Sequence, residues 1–246
     1  ISLGYVGLYE TCLTFFGANW EKNPEAHEFA EDIVKKMNEY CQQWEAESGY
    51  HYSLYSTPAE SLTDTFCHLD KQKFGDVPDI TDKEYYTNSF HYDVRKHPTP
   101  FEKISFEETF PKYASGGFIH YCEYTNLKQN PQALEAVWNW AYDHVGYLGT
   151  NTCIDKCFKC GFAGEFKATA RGFMCPECGN HDPELCDVVK RTCGYLGNPQ
   201  QRPMVHGRHI EIISREKNLT KEMIENAAIY AKTKQSDAQR MDGAEV

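Results

Sequence analysis

The chain has 246 residues, and its 41% hydrophobic and 14% aromatic content is enough for a sizeable core. A formal net charge of −11 argues against a sequence-independent nucleic-acid binder, which needs a basic face. No apolar run is long enough to span a membrane and no signal peptide is visible. The eleven cysteines therefore indicate a reducing, cytoplasmic compartment, where clustered thiols bind metal or do redox work.

The amino-terminal part predicts a strand or turn that enters a helix, because residues 1–17 are apolar and punctuated by glycine. They begin without a methionine and in mid-element, so we expect the C-terminal part of a longer polypeptide. Asn23-Pro24 is typical of a helix start, with Asn as the cap, and apolar residues at helical spacing carry this helix to about Glu47. Residues 49–55 alternate aromatic and polar side chains and predict a strand.

The stretch Ser56-Thr57-Pro58-Ala59-Glu60-Ser61-Leu62 predicts a turn that opens a helix. The N–H groups and dipole at a helix start are suited to binding phosphate. A Ser or Thr followed three residues later by Glu is also typical of a capping box, and the residues alone favour that second interpretation.

The middle of the chain alternates strands with helices. Gly116-Gly117 opens a predicted strand over 118–124, and Asn130-Pro131 begins a helix that reaches about His144. This order indicates an α/β layout, although the alternation is less regular than in a doubly wound sheet. Residues 221–232 predict a last helix, which a polar tail follows.

Two CxxCG motifs predict a metal site at a spacing close to that of a zinc ribbon. Four thiolates suit tetrahedral Zn²⁺ and leave no open position, which marks a structural site; a redox-active CxxC pair and an iron–sulfur cluster are weaker alternatives. Cys153 and Cys186 flank the motifs and are interpreted as spare thiols. The predicted ligands are Cys157, Cys160, Cys175 and Cys178.

The stretch RTCGYLG, residues 191–197, continues into a segment with two prolines and predicts an irregular loop. By itself it is a surface turn in which Gly194 supplies conformational freedom. Together with other blocks it resembles anaerobic (class III) ribonucleoside-triphosphate reductases, particularly of the phage T4 type. Those blocks are YSLYSTPAESL with KQKFG, YYTNSFHYDV, SGGFIHYCEYTN, the double-CxxC ribbon, and RTCGYLG with RPMVHGRH.

The resemblance covers residues 1 to about 210 and implies a fold. The expected class is α/β: the second half of a ten-stranded α/β barrel of the glycyl radical enzyme type, with an appended zinc ribbon and a C-terminal glycyl-radical loop. The expected units are 1–150 (half-barrel), 151–182 (four-cysteine zinc ribbon), 183–212 (glycyl-radical loop) and 213–246 (C-terminal helix and tail).

The resemblance also implies a chemistry, in which Gly194 stores a radical. Glycine suits this role because a planar α-carbon shares the unpaired electron with its amide and carbonyl, and a Cβ would oppose that planarity. A radical S-adenosylmethionine activase would remove the hydrogen, and the radical would then oxidise a cysteine that lies upstream of Ile1 in the family. The thiyl would act on a ribonucleoside triphosphate, with formate or a redoxin as reductant and a homodimer as the assembly.

Further residues take expected roles from the resemblance. The turn near the substrate phosphates would contribute Ser56, Thr57, Ala59, Glu60 and Ser61, with Glu60 as a candidate for a polar active-site role. No cysteine elsewhere has a matching context, so ordinary buried thiols are expected at Cys12, Cys41, Cys67 and Cys122. A basic cluster of solvated charge with a few salt bridges is expected around the loop, and an activase-docking surface is the less favoured alternative. Its members are Arg191, Arg202, His206, Arg208 and His209.

Two other functions stay open on the residues alone. A different glycyl radical enzyme, such as a formate-lyase relative, would share the glycine loop but not a zinc ribbon directly before it. A zinc-ribbon binding module without catalysis would treat RTCGYLG as a turn, and it would leave the long aromatic α/β region without a purpose.

Overall fold

Six α-helices are found in the part of the chain that the computed structural model describes, which is residues 1–56, 58–128, 130–169, 171–194 and 196–220. None of these described helices is long and apolar enough to cross a bilayer. The helix predicted over 221–232 lies outside the described residues. The helices are α1 (Leu8–Phe16), α2 (Pro24–Ser48), α3 (Leu62–Phe74), α4 (Pro100–Glu107), α5 (Pro131–His144) and α6 (His206–Ile213).

Parallel strands form the first part of the fold. Strands β1, β2 and β3 pair in that order, and β4 follows β3 after one residue and pairs with β5. Parallel neighbours need a crossover, and helices supply each one: α1 and α2, then α3 and α4, then α5. The α/β prediction is confirmed. The strands are β1 (Ser2–Gly4), β2 (Ser53–Ser56), β3 (Gly117–Phe118), β4 (His120–Glu123) and β5 (Leu148–Asn151).

Both predicted Asn-Pro helix starts are confirmed. The Asn23 side chain accepts a hydrogen bond from the N–H of Glu25 at 3.0 Å, and the Asn130 side chain accepts one from Ala133 at 3.2 Å. Each cap satisfies a donor that the first turn leaves without a partner inside the helix. Helix α2 ends at Gly49, whose φ of 74° is the left-handed conformation that favours glycine.

Two apolar clusters cover the parallel strands. The first joins α1 and α2 to β2 and to rings such as Phe90 and Phe110, and the second joins α4 and α5 to β4. Burial raises the pKa of the Cys12 thiol to about 12 and that of Cys67 to about 11, which makes both poor nucleophiles. All four cysteines expected to be ordinary buried thiols are buried: Cys12, Cys41, Cys67 and Cys122.

Short antiparallel strands build the segment after β5. Strands β10, β6 and β7 form one sheet in that order, β8 pairs with β9, and β11 pairs with β12. The chain then enters α6 and returns to β4, where Leu219 bridges to Tyr124 and is buried in the second cluster. The strands are β6 (Asp155–Cys157), β7 (Ala163–Gly164), β8 (Lys167–Thr169), β9 (Gly172–Met174), β10 (Cys186–Asp187), β11 (Lys190–Arg191) and β12 (Leu196–Gly197).

Replacing the cap of α5 should destabilise the fold. We expect Asn130→Ala to lower the free energy of unfolding by about 1 kcal/mol, because the N–H of Ala133 loses its acceptor. Urea denaturation followed by circular dichroism measures the change. Gln132→Ala, two residues further along at an exposed position, is the matched control and should leave the midpoint unchanged; equal midpoints for the two variants would contradict the cap.

Candidate functional site

The four predicted ligand cysteines form one compact cluster, whose sulfur atoms all lie within 4.8 Å of one another. The Sγ atoms of Cys157 and Cys178 are 3.7 Å apart, and those of Cys160 and Cys175 are 3.6 Å apart. A tetrahedral zinc ion with Zn–S bonds of about 2.3 Å needs sulfur–sulfur separations of about 3.8 Å. The cluster can therefore hold a zinc ion with little movement of its side chains.

The glycines after each cysteine pair make this convergence possible. Gly161 has a φ of 79° and Gly179 a φ of 69°, so both lie in the left-handed region where a Cβ is strained. Each closes a tight turn, with its N–H donating to the carbonyl of Cys157 at 2.9 Å and of Cys175 at 3.0 Å, respectively. The CxxCG spacing thus places the sulfur atoms of each pair on the same side of its turn.

The two flanking cysteines are not part of the four-sulfur cluster. Cys186 is buried and pairs with Cys157 across the sheet, and the Asn180 side chain donates to its sulfur at 3.3 Å. The Cys153 thiol donates to the carbonyl of Tyr124 at 3.5 Å. Both agree with the interpretation as thiols that do not ligate the metal.

Gly194 lies in the turn of a β-hairpin. Strands β11 and β12 pair with Arg191 opposite Leu196, so the segment expected to be an irregular loop has a regular base. Gly194 itself is exposed, and a Cβ built on it would meet nothing within 4 Å. Thr192 and Cys193 are buried, so the hairpin is fixed up to the residue before the glycine.

The hairpin packs against the turn between β2 and α3, residues 58–61, which is part of the predicted binding site for the substrate phosphates. The Cys193 thiol donates a hydrogen bond to the Pro58 carbonyl at 3.0 Å, although the two residues are 135 positions apart. Arg202 pairs with Glu60 at 3.2 Å in the same region. The tertiary structure therefore brings the two predicted parts of the site together.

The turn offers fewer phosphate donors than its sequence suggests. Pro58 has no N–H, and the N–H of Ala59 is taken by the Asn88 side chain at 2.7 Å. Ser56 is buried at the end of β2, where its hydroxyl donates to the Tyr5 hydroxyl at 2.9 Å. Thr57 lies outside the described residues.

The capping-box interpretation is wrong, because α3 begins at Leu62 and Glu60 therefore lies before the helix. Ser61 is the N-cap residue of this helix, but its side chain makes no capping hydrogen bond. The first turn of α3 therefore begins without a side-chain cap from Ser61.

The interpretation of the basic residues as solvated charge is wrong for two of them, because Arg191 and Arg208 are buried. Arg208 donates to Glu211 at 2.8 Å, and Arg215 donates to both oxygens of the same carboxylate, at 2.8 and 2.9 Å. Burial raises the pKa of Glu211, but the charges of Arg215 and Arg208 outweigh it and hold that pKa well below its usual range.

Arg191 joins this cluster from the hairpin. Its guanidinium stacks 3.7 Å from the centre of the Tyr121 ring and lies 3.7 Å from the Glu123 carboxylate. Burial, and then the neighbouring charge of Arg215, lower the pKa of Arg191 to about 10. The cluster combines three guanidinium groups with the carboxylates of Glu123 and Glu211, and the carboxylate of Asp64 lies nearby in the first turn of α3.

Two groups of buried polar residues escaped the sequence reasoning. In the first group, Glu211 lies three positions after Arg208, and Arg215 lies four positions after Glu211. Side chains at this spacing face each other on a helix, so the sequence could have indicated these ion pairs. Glu107 is the centre of the second group, where its carboxylate accepts from the His120 ring at 3.0 Å and pairs with Lys103. No spacing in the sequence indicated the contact with His120.

The family of the chain follows from comparison with known proteins. A family model described as anaerobic ribonucleoside-triphosphate reductase matches residues 1–217. Proteins of that name are 50% identical over 220 residues in Escherichia coli, 51% over 222 in Salmonella typhimurium and 44% over 218 in phage T4. These alignments cover 89% of this chain but 31%, 31% and 34% of the relatives, so the chain spans about a third of their length.

Solved structures agree on the fold. One named anaerobic ribonucleotide reductase superimposes with a TM-score of 0.67 at 22% identity, over 88% of this chain and 33% of that one. Another, from Thermotoga maritima with MES in the active site, gives 0.61 at 22% identity over 81% and 32%. The chain belongs to the anaerobic ribonucleoside-triphosphate reductase family, and membership argues against the formate-lyase-like and zinc-ribbon-module alternatives.

Removing any one ligand should empty the four-cysteine cluster. We expect about one zinc per chain in the wild type and less than about 0.2 in Cys157→Ser, because three thiolates leave the tetrahedral ion incompletely held. Inductively coupled plasma mass spectrometry measures the content. Cys186→Ser is the control and should keep its zinc. Iron with a visible iron–sulfur absorbance, or zinc loss in the control, would contradict the assignment.

Proposed function

We propose that this chain is the radical-storing part of an anaerobic ribonucleoside-triphosphate reductase, which converts ribonucleoside triphosphates to deoxyribonucleoside triphosphates by glycyl and thiyl radical chemistry. The observation that carries the proposal is the placement of the Gly194 hairpin against the 58–61 turn, beside a four-cysteine cluster. Family membership and the similar fold support it. Residues 1–150 would form the second half of the barrel, followed by the ribbon, the glycyl-radical loop and the C-terminal segment.

Gly194 would hold the radical. A hydrogen atom leaves its α-carbon to an activase of the radical S-adenosylmethionine class, and the unpaired electron stays delocalised over the flanking amide and carbonyl. The buried Cys193 fixes the backbone one residue before Gly194. A fixed backbone next to the radical would keep its distance from the reacting parts of the site constant.

The zinc ribbon would hold the base of the hairpin. Asp155 is fully buried in β6, two residues before the first ligand cysteine. Its carboxylate accepts from the N–H of Val189 at 2.9 Å and from Lys190 at 2.6 Å, directly before and within β11. Zinc bound by four thiolates would rigidify β6 and, through Asp155, the strand that carries the hairpin. Its role is structural, since no coordination position stays open.

The 58–61 turn would bind the substrate near its phosphates, with Glu60 and Ser61 as the contributing residues. The other expected contacts are weakened, because the Ser56 hydroxyl donates to Tyr5 and the Ala59 N–H donates to Asn88. The helix dipole at the start of α3 would favour an anion there. Glu60 would have a polar role at the reacting sugar, where a carboxylate can accept or return a proton. Formate or a redoxin would supply the two electrons of the reduction, in a homodimeric enzyme.

Replacing the radical glycine should abolish the radical without disturbing the hairpin. Anaerobic incubation of the full-length protein with its activase and S-adenosylmethionine should give a doublet in electron paramagnetic resonance, and Gly194→Ala should give none, because a Cβ opposes the planar radical. Gly197→Ala is the matched control, since a Cβ has open space at both positions. A doublet that survives in Gly194→Ala would sink the proposal.

Replacing the carboxylate of the turn should separate radical storage from turnover. We expect Glu60→Gln in the full-length enzyme to keep the radical doublet and to lower turnover at saturating substrate by about 100-fold, the usual scale for losing a proton-transfer group. Deoxyribonucleotide product is counted by chromatography. Glu47→Gln, on an exposed carboxylate at the end of α2, should match the wild type. Full activity in Glu60→Gln would remove Glu60 from the site.

A further inference from the structure

A closed ring of hydrogen bonds connects the radical hairpin to the 58–61 turn. On one side, the Cys193 thiol donates to the Pro58 carbonyl at 3.0 Å, and the Arg191 guanidinium donates to the Cys193 carbonyl at 3.2 Å. Arg215 then donates to the carbonyl of Arg191 at 2.6 Å. These three bonds lead from the turn, through the residue beside the glycine, to the segment after α6.

The other side of the ring returns to the same turn. Both oxygens of Glu211 accept from Arg215, and one of them also accepts from Arg208 at 2.8 Å. Arg208 in turn donates to the carbonyl of Ala59, the neighbour of Pro58, and reaches the Thr63 hydroxyl at 3.5 Å. Glu211 is thus the carboxylate that joins the arginine on the hairpin side to the arginine on the turn side.

The charged side chains of the ring are buried, so its hydrogen bonds are strong and costly to break. The side chain of Arg208 is 0% exposed, that of Arg215 is 5% and that of Glu211 is 6%. Charge-assisted hydrogen bonds in such surroundings are strong and directional, and a carboxylate replaced by a neutral amide leaves two guanidinium groups facing each other. The more direct link, Arg202 with Glu60, is about half exposed and holds position weakly.

The start of helix α6 is held against its neighbours by a close contact at Gly207. The N–H of Gly207 donates to Asp64 in the first turn of α3 at 2.6 Å, and a Cβ at this position would lie 2.0 Å from the carbonyl oxygen of Glu84. The start of α6 therefore contacts α3 through the Asp64 side chain and lies directly against the backbone of Glu84, where only a glycine fits. This contact places Arg208, the next residue, against the turn.

We infer that Glu211 is a positioning residue, which sets the Gly194 hairpin relative to the turn that binds the substrate. This inference rests on the proposed function, because a positioning role matters only if the radical on Gly194 must reach the substrate site. Breaking the ring leaves the zinc ribbon and Asp155 to hold β11, so the radical still forms. The hairpin then loses its fixed distance from the turn, and radical transfer to the site becomes inefficient.

The experiment uses full-length enzyme activated without oxygen, with turnover expressed per glycyl radical. Glu211→Gln keeps the shape of the side chain and should retain zinc and a radical yield within about two-fold of the wild type. Its turnover per radical should fall by about 10-fold or more, since small displacements of reacting groups have effects of this size. Glu216→Gln, five residues further along and half exposed, should match the wild type.

A second variant covers the case in which Glu211→Gln loses its zinc and does not fold. Arg208→Lys keeps the charge but loses the planar fork that reaches Glu211 and Ala59 together, so it should give the same loss of turnover per radical. The double variant should be no worse than either single one, because both changes open one ring.

The outcomes separate the two claims. A wild-type enzyme without a glycine-centred doublet would overturn the proposed function. A normal doublet with normal turnover per radical in both Glu211→Gln and Arg208→Lys would overturn the positioning role alone. Loss of zinc and of folded structure in both variants would also overturn it, since the ring would then serve folding and not position.

Discussion

The buried carboxylate of Glu211, shared by Arg208 and Arg215, is the interaction on which the arrangement of the site depends. Segments far apart in the chain meet here, because Arg208 also binds the carbonyl of Ala59 and Arg215 binds that of Arg191. Charges taken out of water are costly unless each has its partner, so the cluster tolerates few alternative arrangements. Because its members bind the turn at Ala59 and the hairpin strand at Arg191, the cluster links the positions of the two.

The hairpin has a second support on its other flank, supplied by the cysteine cluster through Asp155. A short ribbon with a small core gains much of its stability from metal binding, because the four ligands are brought together only in the folded state. The Asp155 carboxylate accepts hydrogen bonds from Val189 and Lys190 and so connects the ribbon to the base of the hairpin. Gly194 thus lies in the turn of a strand pair whose base is held by these two hydrogen bonds.

Local signals in the sequence were reliable where neighbouring residues decide the structure. The caps Asn23 and Asn130, and the turn glycines Gly161 and Gly179, act on atoms a few positions away, so their spacing alone predicted helix starts and a metal site. Charge was a poorer guide. Arg191 and Arg208 are expected in solvent because arginine is mostly exposed. Both are buried, and their charges are paired with Glu123 and Glu211. Only the fold brings Glu123 to Arg191.

The sequence by itself determined the α/β class, the four-cysteine cluster and the resemblance that identified the family, because these depend on short-range spacing and on motif order. The tertiary structure alone decided that the glycine hairpin meets the turn between β2 and α3, that Ala59 has given its N–H to Asn88, and that three arginines and two glutamates share one buried cluster. The physical reason is that such contacts join residues up to about 150 positions apart, and hydrophobic patterning fixes which faces are buried but not which buried polar groups become partners.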